Sequence, residues 1–203
     1  MDSKFPLLKP TRKTGGERFR SGQAEMDFTL LDFWQWAASD LVSNTGRGHL
    51  AEFIVARALG LGIGDVRREW DPYDLLMNEI KIEVKSAAYV QSWFQKKLSV
   101  ISFNVPARRG YDPETNTVEP EPKRHADVYV FALLGHQDKA TINPLDITQW
   151  VFYVLPTYVL NQRKRSQVSI TLKSLVSLCG LPTSFASLRS AVERAAPRLL
   201  GKL

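Results

Sequence analysis

Cysteine and histidine are nearly missing from this sequence. The 203 residues include one cysteine and three histidines, whereas zinc sites are usually built from these two residue types. Cys179 stands alone in an apolar stretch, which excludes a disulfide framework and a thiolate zinc site and indicates a small packed side chain. His49, His125 and His136 have neither metal-ligand spacing nor a neighbouring nucleophile motif. Any chemistry is therefore expected from other residue types.

Long apolar runs are missing as well. No segment reaches the roughly 18 apolar residues that cross a bilayer, and the longest candidate, residues 151–160, is interrupted by Pro156. The first 20 residues lack the apolar region of a secretory signal. With 44% apolar and 24% charged residues, the chain has the composition of a globular protein. We expect a cytoplasmic protein with no membrane contact.

Charge is unevenly distributed. The net charge is +6, but residues 157–203 carry +7, residues 1–25 carry +3, and the middle of the chain carries −4. Basic ends around an acidic centre favour a polyanion such as DNA, bound at the periphery. Arg163, Lys164 and Arg165 form the densest basic run and are our candidates for nucleic-acid contact. The alternative for such a run is an ordinary solvated face.

The order of the predicted elements indicates an α/β fold. Residues 1–26 lack periodicity and predict a flexible basic arm, and residues 27–203 predict a single domain. Thr29 is a predicted N-cap for a helix over 30–42, and a break at 44–48 precedes a second helix over 49–60. Further helices are predicted at 173–179 and 184–200. Strands are predicted at 67–70, 73–77, 80–87, 100–105, 127–134, 150–155 and 167–172.

Two of these strands form a predicted hairpin. With Asn78 and Glu79 as a two-residue turn, one face is apolar from Tyr73 to Val84, and the other face carries Asp74, Glu83 and Lys85. Asp74 and Glu83 then oppose each other across the strands, at a Cβ separation of about 5 Å. Carboxylates at that distance repel unless a positive group lies between them, which a divalent cation would supply. The alternative is that Lys81 and Lys85 neutralise the acids.

These residues carry a resemblance. Asp71-Pro72-Tyr73-Asp74, followed by Glu83-Val84-Lys85 on a strand, resembles the PD-(D/E)xK superfamily of metal-dependent nucleases. The same tripeptide pattern occurs twice more, but 79–81 begins in the predicted turn and 121–123 lies in a proline-rich loop. The proline does not directly precede Asp74, so the resemblance leaves open which aspartate binds metal. We prefer Asp74 because it is paired with Glu83.

Two further residues match this superfamily. A helix before the strands often supplies an additional acid, and here it places Glu52 among apolar residues, where a local partner would otherwise be His49 or Arg47. Some branches carry a glutamine soon after the lysine, as Gln91 follows here. The resemblance spans residues 45–155 and implies a restriction-endonuclease-like αβββαβ core with a mixed central sheet, preceded by a helix and followed by C-terminal helices.

The resemblance implies an enzyme that hydrolyses phosphodiester bonds of DNA with Mg²⁺, or with Mn²⁺. Its metal ligands would be Asp74, Glu83 and Glu52, its catalytic lysine would be Lys85, and Gln91 would assist. Coordinated cleavage of two strands would favour a homodimer. The first alternative is a non-catalytic nucleic-acid-binding module on the same fold. The second is a structural protein whose acids and lysines only pair with one another.

Overall fold

In a computed structural model of the chain, the described residues are 5, 7–62, 64, 66–67 and 69–196. The five helices of this part are α1 (Leu30–Ala38), α2 (Asn44–Ala58), α3 (Thr157–Asn161), α4 (Leu172–Cys179) and α5 (Leu188–Ala195). Its strands are β1 (Arg18–Ser21), β2 (Ala24–Thr29), β3 (Leu75–Met77), β4 (Ile80–Ala88), β5 (Ser102–Asn104), β6 (Tyr111–Asp112), β7 (Thr117–Val118), β8 (Val128–Leu134), β9 (Trp150–Pro156) and β10 (Ser169–Thr171).

A four-stranded sheet in the order β3-β4-β8-β9 forms the centre of the molecule. β8 runs parallel to β4, whereas the two outer pairs are antiparallel, so the sheet is mixed. All seven residues of β8 are buried, as expected for an apolar strand that is covered on both faces. The mixed α/β class and the mixed central sheet that the sequence predicted are confirmed.

The central sheet has an apolar core on each face. Because side chains alternate along β8, Val128, Val130, Ala132 and Leu134 face one core, which α2 and α5 cover. Tyr129, Phe131 and Leu133 face the other core, which is completed by residues of β5, β10, α3 and α4. One detail differs from the expected αβββαβ order. The connection from β4 to β8 contains β5, β6 and β7, and no helix occurs in this fully described segment, residues 89–127.

The first two helices begin as local hydrogen bonding dictates. Thr29 and Asp32 form the expected capping box of α1, in which Asp32 Oδ2 accepts a 2.6 Å hydrogen bond from Thr29 N–H. The predicted break at 44–48 is wrong, because Ser43 caps α2 through the backbone N–H of Gly46. A Cβ atom at Gly46 would lie 2.3 Å from the carbonyl oxygen of Asp40. The glycine therefore permits a close approach rather than breaking the helix.

Three other predicted elements differ from the structure. Residues 67, 69 and 70 form no strand. Part of the predicted unstructured arm, residues 18–26, belongs to the β1-β2 hairpin. Along β2, Met26 and Phe28 alternate with acidic residues, a strand pattern that the prediction missed. The predicted helix over 184–200 is a 3-10 turn followed by α5, and residues 197–200 lie outside the described part. Among the helices that the structure describes, none combines the length and apolar character required to cross a bilayer.

Candidate active site

The β3-β4 hairpin has the predicted register. Met77 pairs with Ile80, Leu76 with Lys81, and Leu75 with Ile82. Asn78 and Glu79 have φ values of 48° and 69°, the left-handed conformation that a type I′ hairpin turn requires at both positions. Ile82 and Val84 are buried, so the alternating polar residues of β4, including Glu83 and Lys85, project from the opposite face of the sheet.

Asp74 ends this hairpin in a way that the sequence did not predict. The paired ladder stops at Leu75, so the expected direct pairing of Asp74 with Glu83 is wrong. Instead, the backbone N–H of Asp74 donates to the carbonyl of Ile82 at 3.0 Å, and the Asp74 carboxylate accepts from the backbone N–H of Val84 at 2.7 Å. Asp74 therefore contacts β4 on both sides of Glu83 and lies at the sheet edge.

The electrostatic environment of Asp74 is unfavourable for a carboxylate. Burial, followed by the charges of Glu83 and Glu52, raises the pKa of Asp74 to about 7. The hydrogen bond from Val84 and the charge of Lys85 oppose this rise without cancelling it. The three acids predicted from the sequence thus interact with one another, because each additional negative charge disfavours ionisation of Asp74.

Glu83 and Lys85 form an ion pair on β4. Lys85 Nζ lies 2.5 Å from Glu83 Oε1, and the two side chains are only 23% and 18% exposed. Glu83 is paired in register with Tyr129 of β8, and burial together with the Glu83 charge raises the pKa of that tyrosine. Lys85 therefore neutralises Glu83, as one alternative from the sequence proposed. Lys81, the other cation of that alternative, lies over the ring of Tyr73.

Glu52 reaches the site from α2, on the other face of the sheet. Its carboxylate binds Arg67 through two hydrogen bonds, with Nε at 2.5 Å from Oε2 and Nη2 at 3.2 Å from Oε1. The partner is thus neither His49 nor Arg47. The hydrogen bond to Glu52 and the charges of Glu52 and Asp74 raise the pKa of Arg67 against a smaller effect of burial. No sequence pattern indicated Arg67, since it lies in a loop 15 residues from Glu52.

Glu52, Asp71 and Asp74 line one side of a cavity of about 420 Å³, and Arg67 lines it with them. Both aspartates that the sequence left as alternatives therefore face the same space, which we call the acidic pocket. Within the described residues, no three acidic, histidine or cysteine side chains are already arranged to hold a metal ion. Glu52 is instead bound to Arg67, and Glu83 is bound to Lys85.

The donor set nonetheless suits a hard cation. Carboxylate oxygens are the ligands that Mg²⁺ and Mn²⁺ prefer, and a divalent charge would relieve the repulsion that raises the pKa of Asp74. Asp74 and Glu83 could hold the ion, and Glu52 could join them on release from Arg67.

Gln91 lies away from the acidic pocket. It is buried beyond the end of β4, where its side-chain N–H groups donate to the carbonyl of Ala88 at 2.9 Å and to Ser99 Oγ at 3.2 Å. Its side-chain oxygen accepts a weak 3.4 Å hydrogen bond from Arg47 Nη1. These contacts give Gln91 a role in holding the loop after β4.

The basic run after α3 is also organised. Arg163, Lys164 and Arg165 line a pocket with Lys173 and the hydroxyl groups of Thr171 and Ser174. Burial and the nearby charges of Arg124 and Arg165 lower the pKa of Arg163, so these cations repel one another. Repulsion between cations around a polar pocket favours binding of an anion.

Partly buried carboxylates and a lysine at a sheet edge, with basic surfaces on the same molecule, are suited to chemistry on phosphate esters. The comparison with protein families identifies the class more closely. Residues 25–174 match the family model described as bacteriophage T4 endonuclease IV. Because this match spans more than half of the chain, the protein belongs to that endonuclease family, and a nuclease function follows in broad terms. The comparison with curated proteins gives no match.

Proposed function

We propose that this protein is a Mg²⁺-dependent endodeoxyribonuclease with an active site of the PD-(D/E)xK type, and that Mn²⁺ can replace Mg²⁺. The observation that supports it most strongly is the environment of Asp74, a partly buried carboxyl group whose pKa is raised to about 7 beside two other acids. Such perturbation costs folding free energy and is concentrated at functional sites. Membership of an endonuclease family supports the same assignment.

Asp74 and Glu83 are the proposed metal ligands, and Glu52 is the third. A bound Mg²⁺ would lower the pKa of a water molecule and neutralise charge on the scissile phosphate. Asp74 is prepared for this role because the Val84 N–H fixes one of its oxygens at 2.7 Å. The ionised form of Asp74 binds the cation, so metal affinity should rise as the pH passes about 7.

Lys85 is the proposed catalytic lysine. Its ammonium group lies beside Glu83 and is largely shielded from solvent, where a charge interacts more strongly than it does in water. With Glu83 among the ligands of the ion, Lys85 would be free to donate hydrogen bonds to an oxygen of the scissile phosphate. That donation stabilises the negative charge that develops as the phosphodiester bond breaks.

DNA is the proposed substrate, and the pocket formed by Arg163, Lys164 and Arg165 is a proposed contact for its backbone. These side chains would bind phosphate without reading the sequence, so affinity should fall steeply with salt. We also propose a homodimer, because two active sites would suit coordinated cleavage of both strands.

The other candidate is a nucleic-acid-binding module without catalysis. The ion pairs of Glu83 with Lys85 and of Glu52 with Arg67 would be the permanent state of such a module. The cost of holding Asp74 buried beside two acids argues against it, since a binding module gains nothing from that arrangement.

Supercoiled plasmid separates the two candidates. We expect the wild-type protein to convert it to nicked or linear DNA with Mg²⁺ or Mn²⁺ and to leave it intact with Ca²⁺ or EDTA. Glu83→Gln should abolish cleavage, whereas Glu79→Gln should cleave normally, because Glu79 lies exposed in the hairpin turn of the same strand pair. Binding of DNA without cleavage under every metal condition would instead identify the non-catalytic module.

A further inference from the structure

A second cavity, which we call the basic groove, lies along the far half of β4. β3 pairs only with Ile80–Ile82, so in the described structure the later residues of β4 have β8 as their one neighbouring strand. The groove has a volume of about 570 Å³ and lies between this edge, the start of α2 and β5. Its cations are Arg47, Lys85 and Arg108, and no acidic residue belongs to its lining among the residues that the structure describes.

Arg47 is the unusual member of this groove. It is only 4% exposed, yet no carboxylate binds it within the described part of the chain. Its Nη1 donates to the carbonyl of Val42 at 2.8 Å, and its Nη2 donates to Asn44 Oδ1 at 2.7 Å. Both acceptors are neutral. Buried charges are normally paired, because moving an ion out of water costs several kcal/mol.

The guanidinium group is also incompletely satisfied. Arg47 Nε is the one buried side-chain nitrogen or oxygen, in the part of the chain that the structure describes, that lacks a hydrogen-bond partner. Burial lowers the pKa of Arg47, but a guanidinium group is so strongly basic that it keeps its proton in a protein. The wall of the groove therefore carries a permanent positive charge that the protein itself leaves uncompensated.

A local structural role explains only part of this arrangement. The bonds to Val42 and Asn44 fasten the turn before α2, and neutral donors could do the same. What the turn does not require is a full charge placed in a cavity with two more cations. An anion in the groove would recover part of the desolvation cost, and a fixed, buried charge attracts it strongly because little water screens the interaction.

We propose that the basic groove is a binding site for a backbone phosphate of the substrate, and that Arg47 is its positioning residue. This inference deepens the proposed nuclease function. Lys85 lines the groove while its ammonium group contacts Glu83 of the active site. A phosphate in the groove is consequently a close neighbour of the scissile one, and it fixes the strand relative to the acidic pocket. Gln91 supports Arg47 from the groove wall.

A double-mutant cycle that combines arginine substitutions in the protein with uncharged phosphates in the DNA tests this assignment. Fluorescence anisotropy in EDTA gives the affinity for a labelled DNA oligonucleotide, and a series of oligonucleotides carries one uncharged methylphosphonate at each position in turn. For the wild-type protein, one position should weaken binding by about tenfold. Arg47→Gln should weaken binding of the unmodified DNA by a similar factor. A methylphosphonate at that position should then cause no further loss of affinity, because the substitution has already removed the contact between Arg47 and this phosphate.

Arg108→Gln and Arg109→Gln complete the test. Both arginines are exposed and adjacent, so either substitution should fold, but only Arg108 lines the groove. Arg108→Gln should remove the effect of a methylphosphonate at the same or the next phosphate. Arg109→Gln should show the same effect of methylphosphonates at every position as the wild-type protein. Circular dichroism verifies the fold of Arg47→Gln, and if that variant is unfolded, the Arg108 cycle decides alone.

The proposal is overturned if the folded groove variants keep wild-type sensitivity at every phosphate, or if the wild-type protein shows no position dependence. The use of EDTA separates this result from the proposed function. If the protein cleaves DNA but the arginine substitutions do not change its sensitivity to methylphosphonates, the nuclease assignment stands and the groove proposal is refuted. If the substitutions remove that sensitivity but no metal condition gives cleavage, the groove proposal is supported and the nuclease assignment is refuted.

Discussion

The carboxylate of Asp74 accepts a 2.7 Å hydrogen bond from the backbone N–H of Val84, the residue between Glu83 and Lys85. The alternation of β4 explains why this contact matters. Val84 faces the apolar core, whereas its two neighbours face the opposite side, so the bond attaches Asp74 to the strand between Glu83 and Lys85. The position of Asp74 is thus set by backbone geometry, and its ionisation by burial and then by the charges of the neighbouring acids.

Asp74 should make the stability of the metal-free protein depend on pH. Because its pKa rises from about 3.8 to about 7 on folding, the native state binds this proton more tightly than the unfolded state. The resulting stabilisation is present below about pH 4 and is lost as the pH rises through about 7. Asp74→Asn keeps the bond to Val84 without the charge, so its stability relative to wild type should rise over this range, by on the order of 2 kcal/mol.

Urea unfolding in EDTA at about pH 5 and about pH 8 measures this difference. Asp112→Asn is the control, because hydrogen bonds from Thr115 and Glu114 lower the pKa of Asp112 and it stays ionised at both values. A difference between wild type and Asp74→Asn that does not change with pH would refute the assigned environment of Asp74.

Binding of Mg²⁺ should distinguish the two aspartates of the acidic pocket. At about pH 8 and a Mg²⁺ concentration ten times the dissociation constant, the wild-type protein should gain about 1.4 kcal/mol of stability. Asp74→Asn should lose most of this gain, because it removes a proposed ligand, and Asp71→Asn should keep it. Thermal unfolding with and without Mg²⁺ gives the answer. The reverse pattern would assign the metal to Asp71.

The basic run should contribute to the salt dependence of DNA binding. Arg165 is exposed and lines the pocket after α3. If it contacts one phosphate of duplex DNA, Arg165→Gln should reduce the slope of log affinity against log salt by about 0.9. Arg194→Gln removes the same charge from an exposed position on α5, outside this pocket, and should leave the slope unchanged. Equal slopes for wild type and Arg165→Gln would remove the pocket from the DNA interface.

The hairpin was predictable because local rules agree there. Alternation of apolar and polar residues fixes the register, since a slip by one residue would bury Glu83 and Lys85 and expose Ile82. Asn78 indicated the turn through its tolerance of left-handed conformations, and Thr29 indicated the start of α1 through its capping partner. Each of these signals lies within a few residues of the element that it determines.

The partners of the acids could not be predicted in the same way. Arg67 binds Glu52 from a loop without periodicity, and the position of such a loop depends on tertiary packing. Asp74 departs from the extrapolated register because its side chain, rather than the next ladder pair, takes the N–H of Val84. The isolation of Arg47 was also invisible, since only the folded chain shows that no carboxylate binds it among the residues described.

Plasmid cleavage by two lysine variants of β4 tests the central claim most directly. Lys85 lies beside the acids. Lys81 is exposed on the same strand and ends the other tripeptide of the same pattern, residues 79–81, which begins in the turn. With Mg²⁺, Lys85→Ala should cleave about 100-fold more slowly than wild type, because it removes a donor to the developing charge, and Lys81→Ala should cleave at the wild-type rate. Wild-type cleavage by Lys85→Ala, or an equal loss in both variants, would contradict the proposed active site.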